Sequence, residues 1–91
     1  MDETRVIRVR YWAAAKAAAG TAEDRLPVDG PVTLAEVRRQ VTALHPGSRL
    51  PAVLDACSVL VGEEPVGTRD DDEVKVEPGA SVEFLPPFAG G

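Results

Sequence analysis

One capped amphipathic helix in the middle of the chain constrains the fold more than any other feature. Thr33-Leu34-Ala35-Glu36 reads as a capping box. In such a box the Thr33 hydroxyl accepts from the backbone N–H of Glu36, and the Glu36 side chain returns the bond. Leu34, Val37, Val41 and Leu44 then recur at steps of three, four and three, which is one stripe of a helix. His45-Pro46-Gly47 stops it, so the spacing predicts a helix over 34–45. A stripe like this has to be buried, and the flanking sequence reads as short strands. One long helix lying across one sheet is a two-layer α+β domain.

The strands follow from alternation. In Arg5–Tyr11, Ile7, Val9 and Tyr11 share one face while Arg8 and Arg10 take the other. Residues 1–4 read as a frayed end. Ala13–Ala19 is nearly all alanine and precedes Gly20, a short helix with its glycine C-cap. Glu23–Val28 reads as a second strand, placed at an edge by Pro27, which has no N–H to donate. Asp29-Gly30-Pro31 is a turn. Cys57–Gly62 is a mostly buried strand, followed by a tight turn at 62–65 and a short segment at Val66. Val74-Lys75-Val76 is a short extended piece, and Glu77-Pro78-Gly79 turns into a last strand over Ala80–Leu85. Ala80, Val82 and Phe84 are expected inward; Ser81, Glu83 and Leu85 outward. The expected core is Ile7, Val9, Tyr11, Leu34, Val37, Val41, Leu44, Val59, Val61, Val82 and Phe84. This order fits a β-grasp, ubiquitin-like arrangement: a mixed sheet of about five strands with the main helix packed on one face. The first and last strands then pair in parallel mid-sheet, and the C-terminus leaves from an open sheet end.

Composition narrows the function. The 91 residues make one domain, 1–91, with a tail over 86–91. A domain of this size buries roughly 60–65% of its unfolded surface and has little room for an internal active site. A self-sufficient enzyme is not expected. Acids outnumber bases 15 to 10, which argues against a nucleic-acid partner. No apolar run is long enough to span a membrane, and Met1-Asp2-Glu3 lacks the start of a secretory leader, so a cytoplasmic protein is expected. A single cysteine, Cys57, rules out a disulfide framework and a cysteine-based metal site. No bound cofactor and no metal are expected.

The last residues are Leu85-Pro86-Pro87-Phe88-Ala89-Gly90-Gly91. Two prolines end the strand and stiffen the exit, and two glycines follow with no side chains. Six residues span at most about 20 Å, at about 3.3 Å each. The result is a stiff-based, thin-tipped arm carrying a carboxylate. A frayed glycine end of no function has the same composition.

Ile7-Arg8-Val9-Arg10-Tyr11, the Ala-rich helix with Gly20, Thr33-Leu34 at the helix start, and Val82-Glu83-Phe84-Leu85-Pro86-Pro87-Phe88-Ala89-Gly90-Gly91 together resemble the MoaD/ThiS sulfur-carrier family, its MoaD branch most closely. The acidic stretch Gly67–Glu73 is longer than the family usually carries. The resemblance implies that the Gly91 carboxylate is adenylated by a MoeB/ThiF-like activating enzyme, which uses the ATP, and is then converted to a thiocarboxylate. It implies a MoaE-like partner, the large subunit of molybdopterin synthase, to which the sulfur passes for molybdenum-cofactor synthesis. The chain would be the non-catalytic carrier subunit of a two-subunit sulfurtransferase. Ala89 and Gly90 would thread the partner's channel, while Leu85, Pro86, Pro87 and Phe88 would bind its surface. Other members of this fold serve cysteine, thiazole or thio-nucleoside synthesis, and a ubiquitin-like protein modifier would join Gly91 to a lysine.

Three further features have bland readings. Asp70-Asp71-Asp72-Glu73 offers carboxylates to a cation but reads as a solvated loop, lacking the calcium-loop spacing. Cys57 sits in a buried-looking strand and reads as packing. His45 lies in the last helical turn, where it suits the helix dipole.

Overall fold

A computed structural model describes residues 5–87. In chain order the elements are β1 (Val6–Tyr11), α1 (Ala13–Ala19), β2 (Glu23–Pro27), β3 (Val32–Thr33), α2 (Leu34–Leu44), α3 (Leu50–Ala56), β4 (Ser58–Val61), β5 (Glu64–Pro65), β6 (Lys75–Val76) and β7 (Ser81–Leu85). Among the described residues the strands form a five-stranded sheet in the order β2-β1-β7-β4-β5 and a two-stranded sheet of β3 and β6. β1 and β7 run parallel, with Val9 opposite Val82 and Tyr11 opposite Phe84. β7 is the middle strand, and β4 flanks it antiparallel on the other side. The α+β, ubiquitin-like β-grasp expectation therefore holds. Pro27 lies on an edge strand, where its missing N–H costs no ladder bond.

α2 forms where its cap and stripe place it. The Thr33 hydroxyl accepts from Glu36 N–H at 3.1 Å. The expected return bond does not form, because the Glu36 carboxylate turns to Arg39 and to Gln40, one turn on. Leu34, Val37 and Val41 are fully buried against Ile7, Val9, Val82 and Phe84. Leu44 departs from the expectation: it is 52% exposed. The helix ends at Leu44, and Leu50 and Leu54 of α3 enter the core cluster that Leu44 stays out of. Val61 is only partly buried, packed on the edge of that cluster. The α3 helix itself was not expected from the sequence.

Gly20 ends α1 at φ 77°, a left-handed conformation open to glycine, and its N–H bonds Lys16 O. At the other end Ala13 has φ 50°, which costs a non-glycine residue about 1–2 kcal/mol. That strained residue makes the turn from β1 into α1. It follows Trp12, whose N–H is held by Phe84 O at 3.2 Å.

One carboxylate ties helix, edge strand and core together. Tyr11 Oη donates to Asp24 Oδ2 at 2.8 Å, and His45 Nε2 lies 2.5 Å from the same oxygen. The imidazole of His45, the cap residue of α2, thus fixes the helix end to β2. The Tyr11 ring meets His45 edge-on and stacks with Phe84, its centroid 6.3 Å from each. Burial, then the hydrogen bond to Asp24 and its charge, push the Tyr11 phenol well above its ordinary range. With the folded value raised, the stability this site contributes is intact below the unfolded phenol value of about 10 and is lost as pH rises past it. Tyr11 is the only tyrosine, so phenolate absorbance reads this site alone. Phenolate formation and loss of the far-ultraviolet circular dichroism are expected to coincide in one transition above about pH 10. A phenol that ionised near pH 10 in a domain still folded would contradict the buried cluster.

Candidate functional site

β7 sets the geometry of the site. Val82 and Phe84 point into the core and are fully buried, so Ser81, Glu83 and Leu85 face the other side of the sheet. Leu85 is half-buried on that outer face, Pro86 is half-buried and Pro87 exposed. The strand therefore delivers the chain out of the middle of the sheet, held on both sides as far as Phe84 and by β4 at Leu85. Phe88, Ala89, Gly90 and Gly91, expected to thread and bind a partner, lie outside the described residues, as does the end expected over 1–4.

The register brings other side chains to the exit. Ser58 lies opposite Leu85, Leu60 opposite Glu83, and Pro65 opposite Leu60. Trp12 follows the end of β1 beside Leu85 and is 43% exposed. Its indole N–H donates to Glu83 Oε1 at 3.0 Å, and the Arg10 guanidinium lies 5.2 Å over its ring. Trp12 and Leu85 thus stand at the exit end of the outer sheet face, with Leu60 and Pro65 one row back, in the row of Glu83. This end, rimmed by charge, suits a protein partner. Sequence reading placed Leu85 here but missed Trp12 and Leu60. A lone tryptophan after an alternating strand was the available signal; its neighbours depend on pairing across some seventy residues.

The remaining candidates are structural. Cys57 Sγ donates to Val53 O at 3.2 Å, one helical turn back. It borders a cleft of about 260 Å³ that Arg38, Arg69 and Asp71 also line. Burial pushes the thiol up, and the opposing charge of Arg38 does not reverse that, so the group is a poor nucleophile. In the acidic loop, Asp71 is the member with a structural role. Its Oδ2 lies 2.5 Å from Arg38 Nε, although that N–H is not aimed at the carboxylate, so the contact is ionic. The Asp71 carbonyl accepts from Ala35 N–H in the first turn of α2. Asp70, Asp72 and Glu73 are exposed. Among the described residues no three His, Cys, Asp or Glu side chains are grouped to hold a metal ion, and no helix is long and apolar enough to cross a membrane.

Comparison with known proteins shows the family and agrees with the fold. The ThiS family model matches residues 9–91. A molybdopterin synthase sulfur carrier subunit from Aspergillus niger is 30% identical over 91 residues, covering 100% of both chains. The crystal structure of SAMP1 from Haloferax volcanii superposes with a TM-score of 0.76 at 22% identity, over 94% of this chain and 99% of that one. The complex of subunits 1 and 2 of the molybdopterin-converting factor from Helicobacter pylori contains a chain with a TM-score of 0.62 and 20% identity, over 94% of this chain and 99% of that one.

Proposed function

The chain belongs to the ThiS family of sulfur carriers, and from that premise we propose that Gly91 carries sulfur as a thiocarboxylate for molybdopterin synthesis. The observation that carries this reading is the end-to-end likeness to a protein named as a molybdopterin synthase sulfur carrier subunit. The geometry supports it: β7 anchors the arm in the middle of the sheet, and Pro86-Pro87 stiffen its base.

The chemistry needs little from this chain. A carboxylate is anionic and a poor electrophile. Its oxygen attacks the α-phosphorus of ATP, pyrophosphate leaves, and a mixed anhydride with AMP results. A hydrosulfide-level donor adds to the acyl carbon, AMP departs with the bonding pair, and a proton is released. The product is a tethered thiocarboxylate, presented at high effective concentration. An adenylating enzyme supplies the ATP site. A large subunit like subunit 2 of the Helicobacter pylori complex accepts the sulfur. The carrier contributes shape, reach and a docking face.

Incubation of the full chain with ATP, the adenylating enzyme and sulfide tests the reading. The intact mass is expected to rise by the difference between sulfur and oxygen, and the increment to map to the last peptide. An unchanged mass, or an increment elsewhere in the chain, would refute it.

The docking face has its own test. Trp12 is the only tryptophan and sits at the exit, so its fluorescence reports partner binding. Phe88→Ala is expected to weaken that binding about thirtyfold, the effect of losing about 2 kcal/mol from an aromatic anchor. The melting transition should hold. A lowered melting temperature with unchanged affinity would make Phe88 a core residue instead.

A further inference from the structure

The cleft at the β5 edge of the sheet takes no part in the carrier chemistry. Its walls are β4, the turn that follows β5, and the Arg38 side chain reaching over from α2. Its volume is about 260 Å³, and its charged lining residues are Arg38, Arg69 and Asp71. The Ser58 hydroxyl and the Cys57 thiol stand beside them.

Neither guanidinium is a loose surface charge. Arg69 donates through Nε to Val66 O and through Nη2 to Pro65 O, each at 3.0 Å. Both acceptors lie just before it in the chain, so the turn closes on its own arginine and holds the fork in place. Arg38 donates through Nη1 to Leu54 O at 3.1 Å and lies 5.3 Å over the Phe84 ring. Fixing a long cationic side chain costs rotamer entropy, and a backbone carbonyl brings no full charge to neutralise it. Among the described residues no carboxylate pairs with Arg69, and Arg38 has only Asp71. The Arg38 Nε–H is buried and unbonded despite that contact. Two positioned cations thus face one anion in a single cleft, on a chain whose net charge is −5.

We propose that this cleft binds a compact inorganic oxyanion of the phosphate class between Arg38 and Arg69. Guanidinium groups match such ions, because a planar fork donates paired hydrogen bonds to two oxygens. A guanidinium has five N–H groups, so the carbonyl bonds leave each arginine with donors to spare. Ser58 adds a hydroxyl at the rim. Size selects the ligand. Sites for drug-sized molecules run to roughly 300–1,000 Å³, and this cleft is smaller, so it takes the ion and not a nucleotide that carries one. Asp71 sets the affinity: its carboxylate stands against Arg38, and an incoming anion competes with it. The inference is independent of the sulfur-carrier reading.

The test is titration of the full chain with sodium phosphate, read as amide shifts in proton–nitrogen correlation spectra, with sodium chloride holding the ionic strength at about 0.15 M. Saturable shifts are expected at Ser58, Gly67 and Arg69. Arg69→Gln is expected to weaken binding at least about tenfold, by loss of a charge-assisted contact. Asp71→Asn is expected to tighten it about tenfold, because it removes the competing charge and keeps the backbone carbonyl that holds Ala35 N–H. Arg49→Gln removes the same charge at the start of α3, outside the cleft, and should bind as wild type does. AMP should bind no tighter than phosphate. Shifts that never saturate, or that sodium chloride alone reproduces, would overturn the proposal, since only screening would be at work. Unchanged affinity in Arg69→Gln, or weaker binding in Asp71→Asn, would overturn it as well. Tighter binding of AMP would overturn it in favour of a nucleotide site. No adenylating enzyme enters the experiment, so each of these failures leaves the carrier reading standing.

Discussion

Deletion of Gly91 is expected to abolish the sulfur-dependent mass shift and to leave the thermal transition unmoved. The shortened arm still ends in a carboxylate, on Gly90, so the loss would be one of position. One residue is about 3.3 Å of reach. Acyl transfer needs the reacting atoms about 3–3.5 Å apart and aligned, so a shortfall of that size removes the productive geometry. The fold should not register the change, because β7 ends at Leu85 and its core residues are Val82 and Phe84. Cys57→Ser is the companion variant. The thiol donates to Val53 O and is held protonated by burial, so its loss should leave the mass shift intact. A label that followed Cys57 and survived loss of Gly91 would replace the thiocarboxylate with a persulfide.

Val41→Asp is expected to unfold the domain. Val41 is fully buried in α2 and belongs to the core cluster. Losing the valine forfeits about 1.5–3 kcal/mol of burial, and a carboxylate placed there is without a designed partner, which costs several kcal/mol more. A chain of this length has roughly 5–14 kcal/mol to lose, at about 0.05–0.15 kcal/mol per residue. Leu44→Asp, one turn further along the same stripe, should change stability by no more than about 0.5 kcal/mol, because Leu44 is 52% exposed. Urea unfolding followed by circular dichroism separates the two. Equal effects would mean that α2 is rotated or longer than described.

That pair of residues marks where the sequence is legible. The stripe Leu34-Val37-Val41-Leu44 is periodic, and periodicity identified the helix and its inward face. It could not identify the turn at which the helix runs off the core, which depends on Leu50 and Leu54 arriving from α3. α3 itself escaped notice because, unlike the equally short α1, it has neither an alanine run nor a glycine C-cap; Pro51 in its first turn and the Leu50–Leu54 spacing were its signals. β1 was readable from alternation alone, and the final strand with its proline exit from local composition. The Tyr11–Asp24–His45 cluster was not readable, since it joins a strand, an edge and a helix cap that are distant in sequence. The same holds for the cleft at the β5 edge: Arg38 and Arg69 look like ordinary surface charges until the fold sets them around one cleft.

The central place of β7 also sets an order of events on the ribosome. Synthesis proceeds at about 5–20 residues per second and domains fold as units. Until residues 81–85 emerge, β1 and β4 flank an empty slot, and Phe84 is missing from beneath Arg38 and beside Tyr11. The long-range parallel pairing that fills the slot is of the slow-forming kind. The nascent domain can close only when the strand leading to its last residues is made, so a chain interrupted before β7 has no finished sheet. Completion of the fold and presentation of the arm are one step.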